Sequence, residues 1–229
     1  NTFMISGLTI LFGFPAPIIL ALMINEVKNS AFKRTVQTIT YMPYFISMVV
    51  MCGLLKTFCM QDGLFSQIVM AFGGSGQNFL ANPDYFRTIY VLSDIWSGIG
   101  WNSIIYLAAL SSIDQEQYEA ARVDGANRFK QMIHITLPGL VPTIMVLFIL
   151  RMGNILNVGY EKILLLYNSA TYITADVIST YTYRLSFGGS GNPMYSKSTA
   201  IGLFNTIINV FFLMLTNMIS KKATDAGLF

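Results

Sequence analysis

Charged residues are scarce in this sequence. Only 11% of its 229 residues are Asp, Glu, Lys or Arg, whereas 54% are hydrophobic and the mean hydropathy is +0.56. Soluble domains average about 25% charged residues. This scarcity, together with long apolar runs, excludes an ordinary soluble domain and predicts an integral membrane protein. The net charge of +3 is too small to indicate a nucleic-acid partner.

Residues that usually carry catalysis or bind metals are also few. The sequence has one histidine, His134, and two cysteines, Cys52 and Cys59, in one apolar segment. No other metal-binding residue lies near the cysteines, so we expect free core thiols and no metal site. The glycine-rich stretch at 73–78 lacks the lysine and the Ser or Thr of a nucleotide-binding loop. The sequence therefore predicts no enzyme activity and no cofactor bound by this chain.

Five segments are apolar and long enough to cross the hydrocarbon core of a bilayer, which takes about 20 helical residues. They are Thr2–Ile24, Tyr41–Cys59, Phe86–Leu110, Leu140–Gly159 and Ser198–Ile219. Pro15 and Pro17 should kink the first of them. No linker divides the chain. We therefore predict an all-α, polytopic membrane protein in which residues 1–229 form a single domain.

Basic residues predict the orientation of these spans. One set of loops carries eight of them: Lys28, Lys33, Arg34, Arg122, Arg128, Lys130, Lys221 and Lys222. The other set carries five: Lys56, Arg87, Lys162, Arg184 and Lys197. Cytoplasmic loops carry the excess of Lys and Arg. We therefore expect residues 111–138 and the C-terminus to be cytoplasmic.

Residues 111–138 form a charged, helix-forming segment between the third and fourth spans. Asp114 can cap a helix, with Gln117 completing a capping box. Gly125 suits a helix C-cap that needs a positive φ. Asn127 can cap a second short helix, which Pro138 should end. Spacing alone leaves open whether this helix-turn-helix is a solvated connector or a functional element.

The same segment resembles the EAA loop of ABC importer permeases. The pattern is Glu-Ala-Ala, three residues, Gly, nine residues, Ile, one residue and Leu-Pro, and Asp-Gly-Ala matches the version found in sugar permeases. The matching positions are Glu119, Ala120, Ala121, Asp124, Gly125, Ala126, Ile135, Leu137 and Pro138. The resemblance implies that Glu119–Pro138 contains a cytoplasmic coupling helix, which docks on an ATPase subunit.

Further stretches are similar to the carbohydrate branch of these permeases, LplB-like or MalF-like. They include WSGIGWNSIIYLAAL at 96–110 and NILNVGYE at 154–161. The resemblance implies a six-helix core, five helices of which are visible, so we expect residues before Asn1. It implies a permease subunit of an ATP-driven importer in a prokaryotic cell membrane, with a carbohydrate substrate, expected to be an oligosaccharide. The implied partners are a second permease subunit, an extracytoplasmic solute-binding protein and two ATPase subunits that bind ATP and Mg.

Two charged residues, Asp94 and Arg151, fall inside predicted spans, where such groups avoid lipid. They pair with each other or with polar neighbours inside the bundle, or one or both of them face the translocation path. Spacings of three residues would put Arg151, Asn154 and Asn157 on one helix face. Indole rings and amides suit the C–H faces and hydroxyls of sugars. The predicted substrate path therefore comprises Asp94, Trp101, Asn102, Arg151, Asn154 and Asn157.

Three other functions remain open at this stage. An ABC permease for a peptide, an amino acid or another non-sugar solute would carry the same loop. A secondary transporter would need intramembrane ion-coupling groups and internal repeats, and neither is evident. A purely structural membrane subunit would not retain an ATPase on purification, whereas an ABC permease would.

Overall fold

The computed structural model describes residues 1–188, 192–224 and 227–228. All the regular elements in these ranges are helical, which confirms the all-α prediction. The α-helices are α1 Thr2–Leu8, α2 Pro15–Glu26, α3 Ser30–Tyr41, α4 Met48–Cys59, α5 Leu64–Ala71, α6 Pro83–Ser111, α7 Gln115–Val123, α8 Arg128–Gln131, α9 Leu137–Met152, α10 Tyr160–Leu166, α11 Tyr172–Ala175, α12 Ile178–Phe187 and α13 Tyr195–Thr224. The π-helical turns are Thr9–Gly13 and Met132–Thr136, and the 3-10 turns are Met42–Phe45 and Phe79–Ala81.

Four helical segments are long and apolar enough to cross a membrane. They are Thr2–Glu26, Met48–Ala71, Arg128–Met152 and Tyr195–Lys222. The remaining predicted span lies in α6, whose 29 residues extend about 43 Å. α6 carries Asp84, Arg87 and Asp94 and is not among the four. The polytopic architecture is thus confirmed, with a central helix that is more polar than the others.

The second span departs from the prediction of Tyr41–Cys59. The chain forms the 3-10 turn Met42–Phe45 and extends at Ile46, and α4 begins only at Met48. Pro43 accounts for the break, because it lacks an N–H and restricts the residue before it. The Ser47 side chain then caps α4 by accepting a hydrogen bond from the amide of Val50 at 3.4 Å.

The fourth span also corrects two expectations. Pro138 does not end α8, because α8, the π-helical turn and α9 run on as one helical segment, Arg128–Met152. The π-helical turn widens the helix just before this proline, where the missing N–H and the ring need room. The predicted span Leu140–Gly159 is too long, since α9 ends at Met152. Gly153 is a poor helix former, and the side chain of Asn154 competes for a backbone carbonyl.

α6 is the central helix of the bundle and packs against α2, α3, α9 and α11. Its buried Phe86 and Tyr90 join a core formed with α1, α4 and α10, which includes the free thiols of Cys52 and Cys59. A second core joins α6 to α2 and α9 through Ala21, Tyr106, Leu110 and Leu140. The prediction of free core thiols is confirmed.

Asp176 and Arg184 fasten the segment between α11 and α12. The Arg184 guanidinium donates two hydrogen bonds to the Asp176 carboxylate, at 2.7 and 2.8 Å. Burial raises the pKa of Asp176, but hydrogen bonds from Arg184 and Thr180 outweigh this effect and hold the pKa below its ordinary value. The carboxylate is therefore the stable form at neutral pH.

Gly100 lets α3 cross α6 at close range. A Cβ atom at this position would overlap the backbone carbonyl of Thr40 and contact the ring of Tyr41. Backbone cannot move aside as the end of a flexible side chain can. The glycine therefore fixes how closely the end of α3 approaches the central helix.

We predict that Gly100→Ala destabilises the protein, because α3 must move away from α6. Overpacking of this kind typically costs about 1–3 kcal/mol. Gly53→Ala is the matched control, since nothing lies within 4 Å of a Cβ added in α4. Thermal unfolding of the purified transporter should show a lower midpoint for Gly100→Ala only. Equal midpoints for the two variants would contradict the close crossing.

Candidate functional site

A polar groove lies between the first helical segment, α6 and α9. It consists of two adjoining cavities that share Thr9, Asp94, Arg151, Asn154 and Asn157. The larger cavity has a volume of about 480 Å³, within the range of about 300–1,000 Å³ that is common for ligand sites. Polar side chains at this depth of an apolar bundle are typical of a binding site or a path.

Five of the six predicted path residues line this groove, and Trp101 does not. The five are Asp94, Asn102, Arg151, Asn154 and Asn157. Trp101 stacks on Tyr44, with ring centres 4.7 Å apart, and meets the edge of Phe45. Successive residues of a helix point about 100° apart. For this reason Asn102 lines the groove while Trp101 packs against the turn before α4.

Asn154 and Asn157 reach the groove through turns, which corrects the prediction that they share a helix face with Arg151. The Asn154 side chain donates to the carbonyl of Leu150 at 3.1 Å, one turn back in α9. The Asn157 side chain donates to the side-chain oxygen of Asn154 at 3.0 Å. The two amides therefore form a chain that begins at the end of α9.

Hydrogen bonds from neighbouring helices hold the segment that follows α9. The amide of Leu156 donates to Asn209 of α13 at 3.1 Å. The hydroxyl of Ser6 in α1 donates to the carbonyl of Ile155. Irregular backbone at membrane depth needs such internal partners. The turns at 153–159 thus have a fixed place in the groove wall.

Asp94 pairs with Lys162, which corrects the predicted alternative of a pair with Arg151. The Lys162 ammonium lies 3.3 Å from the Asp94 carboxylate and 3.0 Å from the carbonyl of Tyr90. The Lys162 side chain is 2% exposed and that of Asp94 is 42% exposed. Lys162 is therefore a buried residue, which removes it from the loop residues that predicted the orientation.

Arg151 is exposed to the groove. No carboxylate lies within 4.0 Å of its guanidinium in the part of the chain that the structure describes. A guanidinium offers planar, paired donors that match a carboxylate. The arrangement is a free cation beside two amides, which can bind an anionic, hydroxyl-rich ligand.

Sequence reasoning missed several polar residues that line the groove, among them Ser6, Thr9, Glu161 and Lys162. Ser6 and Thr9 are spaced by three residues in the first span, a pattern that would have placed both on one helix face. Lys162 directly precedes the apolar run Ile163–Leu166. A lone lysine at the edge of such a run could have signalled burial.

The EAA loop forms the helix-turn-helix that the sequence predicts. The Asp114 side chain caps α7 by accepting a hydrogen bond from the amide of Glu116 at 3.0 Å. Asn127 caps α8 by accepting from the amide of Lys130 at 2.9 Å. No hydrogen bond from Gln117 completes a capping box among the described residues.

Gly125 ends α7 with a φ of 75°, as predicted. Its amide donates to the carbonyl of Arg122 at 3.1 Å, and the amide of Ala126 donates to that of Ala121 at 2.8 Å. These two bonds form a Schellman motif, which satisfies carbonyls that the helix end would otherwise leave unpaired. The turn therefore depends on a residue that tolerates the left-handed conformation.

The surface of the EAA loop is open. Glu119 and Ala120 are exposed, and no ion pair joins Glu119 to Arg122 within the described ranges. Two large apolar side chains, Val123 and Phe129, are 88% and 64% exposed. Exposed apolar groups beside an unpaired carboxylate indicate a surface that another protein can cover.

Two contacts fix the EAA loop to the bundle. The hydroxyls of Tyr118 and Thr136 lie 3.0 Å apart, joining α7 to the π-helical turn before α9. Arg128 and Glu26, at the end of α2, form an ion pair at 3.2 Å. The loop is therefore attached to α9 and to α2, the two neighbours of α6 that wall the groove.

Comparison with known proteins gives a consistent family. A family described as "Binding-protein-dependent transport system inner membrane component" matches residues 13–225. The chain is 44% identical to Protein LplB of Bacillus subtilis (strain 168) over 230 residues, which cover 100% of this chain and 71% of that protein. It is 40% identical, with the same coverage, to the polygalacturonan/rhamnogalacturonan transport system permease protein YteP of the same strain.

A solved structure is also similar. A chain of a bacterial alginate ABC transporter, crystallised in complex with an alginate pentasaccharide-bound periplasmic protein, is 47% identical. The match has a TM-score of 0.94 and covers 100% of this chain and 78% of that one. The family match, the relatives and this structure agree. The chain therefore belongs to the family of binding-protein-dependent transport system inner membrane components.

Proposed function

We propose that this chain is the permease subunit of an ATP-driven importer for an acidic oligosaccharide, delivered by an extracytoplasmic binding protein. The observation that carries the proposal is Arg151, a cation without a carboxylate partner among the described residues, in a groove lined by Asn102, Asn154 and Asn157. The guanidinium suits the carboxylate of a uronic acid, and the amides suit sugar hydroxyls. Neutral sugars would leave the guanidinium without a matched partner.

The relatives support this substrate class. YteP is named for polygalacturonan and rhamnogalacturonan transport, and a similar solved structure is a transporter of the acidic polysaccharide alginate. Such substrates carry carboxylates along a carbohydrate chain. Family membership also makes this chain part of a binding-protein-dependent transport system, which argues against a secondary transporter and against a purely structural subunit.

The remaining subunits are assigned by the same proposal. A second permease subunit completes the pore, and two ATPase subunits bind ATP and Mg, so this chain itself binds no cofactor. Residues 1–229 act as one permease domain, with residues 111–138 and the C-terminus in the cytoplasm of a prokaryotic cell. Removing the buried Lys162 from the loop charges leaves four basic residues against eight, which strengthens the orientation inferred from charge.

The EAA loop is the proposed coupling element. Its exposed Val123 and Phe129 supply apolar contact, and Glu119 is free to meet a basic group of the ATPase. The predicted coupling residues are Glu119, Ala120, Ala121, Asp124, Gly125, Ala126, Ile135, Leu137 and Pro138. Movement of the ATPases would reach the groove through the contacts of the loop with α9 and α2, at Tyr118–Thr136 and Arg128–Glu26.

Arg151→Gln tests the substrate class. The variant keeps a polar side chain but loses the charge, so import of trigalacturonate should fall about tenfold or more, as expected for a lost hydrogen bond to a charged group. Import is measured as the initial rate of trigalacturonate uptake into proteoliposomes that contain the transporter with its ATPase subunits and are supplied with the binding protein. Arg151→Lys is the matched control, because it keeps the positive charge at the same position and should retain more of the import. Uptake of trigalacturonate at the wild-type rate in Arg151→Gln would refute the proposal.

Gly125→Val tests the coupling role of the loop. A non-glycine residue with positive φ costs about 1–2 kcal/mol, and a β-branched residue costs more, although no atom lies within 4 Å of the added Cβ. The variant should insert in the membrane but retain less ATPase on purification and lose transport. Gly125→Asn is the matched control, because asparagine tolerates this conformation. Wild-type ATPase retention and transport in Gly125→Val would remove the loop from coupling.

The proposed orientation can be tested at the two ends of α13. Lys197 and Lys222 are both exposed, and the helix between them exceeds about 30 Å of hydrocarbon. In intact cells, a membrane-impermeant thiol reagent should label Lys197→Cys and spare Lys222→Cys. The native Cys52 and Cys59 are buried, and the labelling of the protein without added cysteines gives the background signal. If the reagent labels Lys222→Cys alone, the proposed membrane orientation is inverted and the EAA loop lies outside the cell.

A further inference from the structure

Lys162 is the most enclosed charged residue of the groove. Its side chain is 2% exposed, and three features of α6 surround its ammonium. These are the Asp94 carboxylate at 3.3 Å, the Tyr90 carbonyl at 3.0 Å and the Tyr90 ring, whose centre is 4.4 Å away. An ammonium so enclosed has no face left for a substrate. We therefore expect Lys162 to act on transport through Asp94 and through the charge of the groove, and not by contact with the substrate.

Asp94 connects Lys162 to the ligand space. Its side chain is 42% exposed and, like Arg151, it lines both cavities of the groove. The Asp94 carboxylate and the Arg151 guanidinium thus border the same space without forming an ion pair. Opposite charges attract strongly in a partly dry site. Without Lys162, Asp94 would compete with the substrate for Arg151.

The net charge of the groove also indicates that Lys162 favours the binding of an acidic substrate at Arg151. Among the described residues, the cations that line it are Arg151 and Lys162 and the carboxylates are Asp94 and Glu161, so the sum is zero. Loss of Lys162 would leave a net charge of −1. A groove of this charge would repel the carboxylates of an acidic oligosaccharide as well as neutralise Arg151.

We propose that Lys162 is a positioning residue that determines substrate specificity: by holding Asp94, it keeps Arg151 free for the carboxylate of the substrate. This inference rests on the proposed function, in which Arg151 receives that carboxylate. Lys162 itself does not contact the substrate. Because Lys162 binds the Asp94 carboxylate, the Arg151 guanidinium binds the carboxylate of the sugar and not that of Asp94.

The test compares import of trigalacturonate with import of its methyl ester, which has the same length and no charge. Each variant's ratio of initial rates is divided by the wild-type ratio, so that the preference of the binding protein cancels. Lys162→Met should lower this acidic-to-ester ratio about tenfold, the effect of one charged hydrogen-bonding partner. The double variant Lys162→Met/Asp94→Asn should return the ratio to the wild-type value, because the competing carboxylate is gone and the net charge of the groove is again zero.

Asp94→Asn alone keeps the test decisive if Lys162→Met assembles poorly. It removes the competing carboxylate and adds net positive charge, so the ratio should rise and the KM for trigalacturonate should fall. A merely structural ion pair would instead lower both import rates together and leave the ratio unchanged. An unchanged ratio in Lys162→Met or in Asp94→Asn would overturn the inference.

The two proposals fail in different ways. If Arg151→Gln keeps the wild-type preference for the acidic trisaccharide, the proposed substrate class is wrong, whatever Lys162 does. If Arg151→Gln loses that preference while Lys162→Met keeps it, the substrate class stands and only the role of Lys162 is wrong.

Discussion

The need to shelter charge from lipid organises this bundle around α6. A lysine buried at membrane depth is costly unless its ammonium is paired and hydrogen-bonded. Here α6 supplies the carboxylate of Asp94, the carbonyl of Tyr90 and the face of an aromatic ring. Through the Lys162 side chain, these contacts connect α10 to the central helix. The polar groove lies beside this pair, and the apolar cores of the bundle lie above and below it along α6.

The same constraint relates the groove to the EAA loop. The turns that follow α9 are tolerated because Ser6, Asn209 and the side chains within the turns satisfy their polar groups. At its other end, the helical segment of α9 begins in the EAA loop. One continuous segment, Arg128–Met152, therefore extends from the proposed ATPase contact to Arg151 at the groove. Because it continues past Pro138, it provides an unbroken helical path between the two sites.

Sequence reasoning predicted what local chemistry determines. Asp114, Gly125 and Asn127 act as helix caps in the places that their side chains or φ preferences favour, and the long apolar runs became helices. Helix ends inside the membrane were less predictable. Hydropathy does not reveal that α9 stops at Met152 or that α4 starts only at Met48, because the flanking turns also contain large apolar residues and are stabilised by tertiary contacts.

The candidate site shows the same division. Composition and spacing predicted five residues that line the groove, because polar residues in apolar runs avoid lipid and gather in a protein-lined space. They are Asp94, Asn102, Arg151, Asn154 and Asn157. The pairing of Asp94 depended on α10 folding back to α6, across 68 residues of sequence, which no local pattern encodes. For the same reason Trp101, one residue from Asn102, could be placed only once the orientation of α6 was known.

A structure of the assembled transporter with trapped trigalacturonate would test this account most directly. We expect a carboxylate of the sugar within about 3 Å of the Arg151 guanidinium, with the Lys162–Asp94 ion pair intact beside it. An Arg151 paired with Asp94, or a sugar bound away from the groove between α6 and α9, would contradict the account.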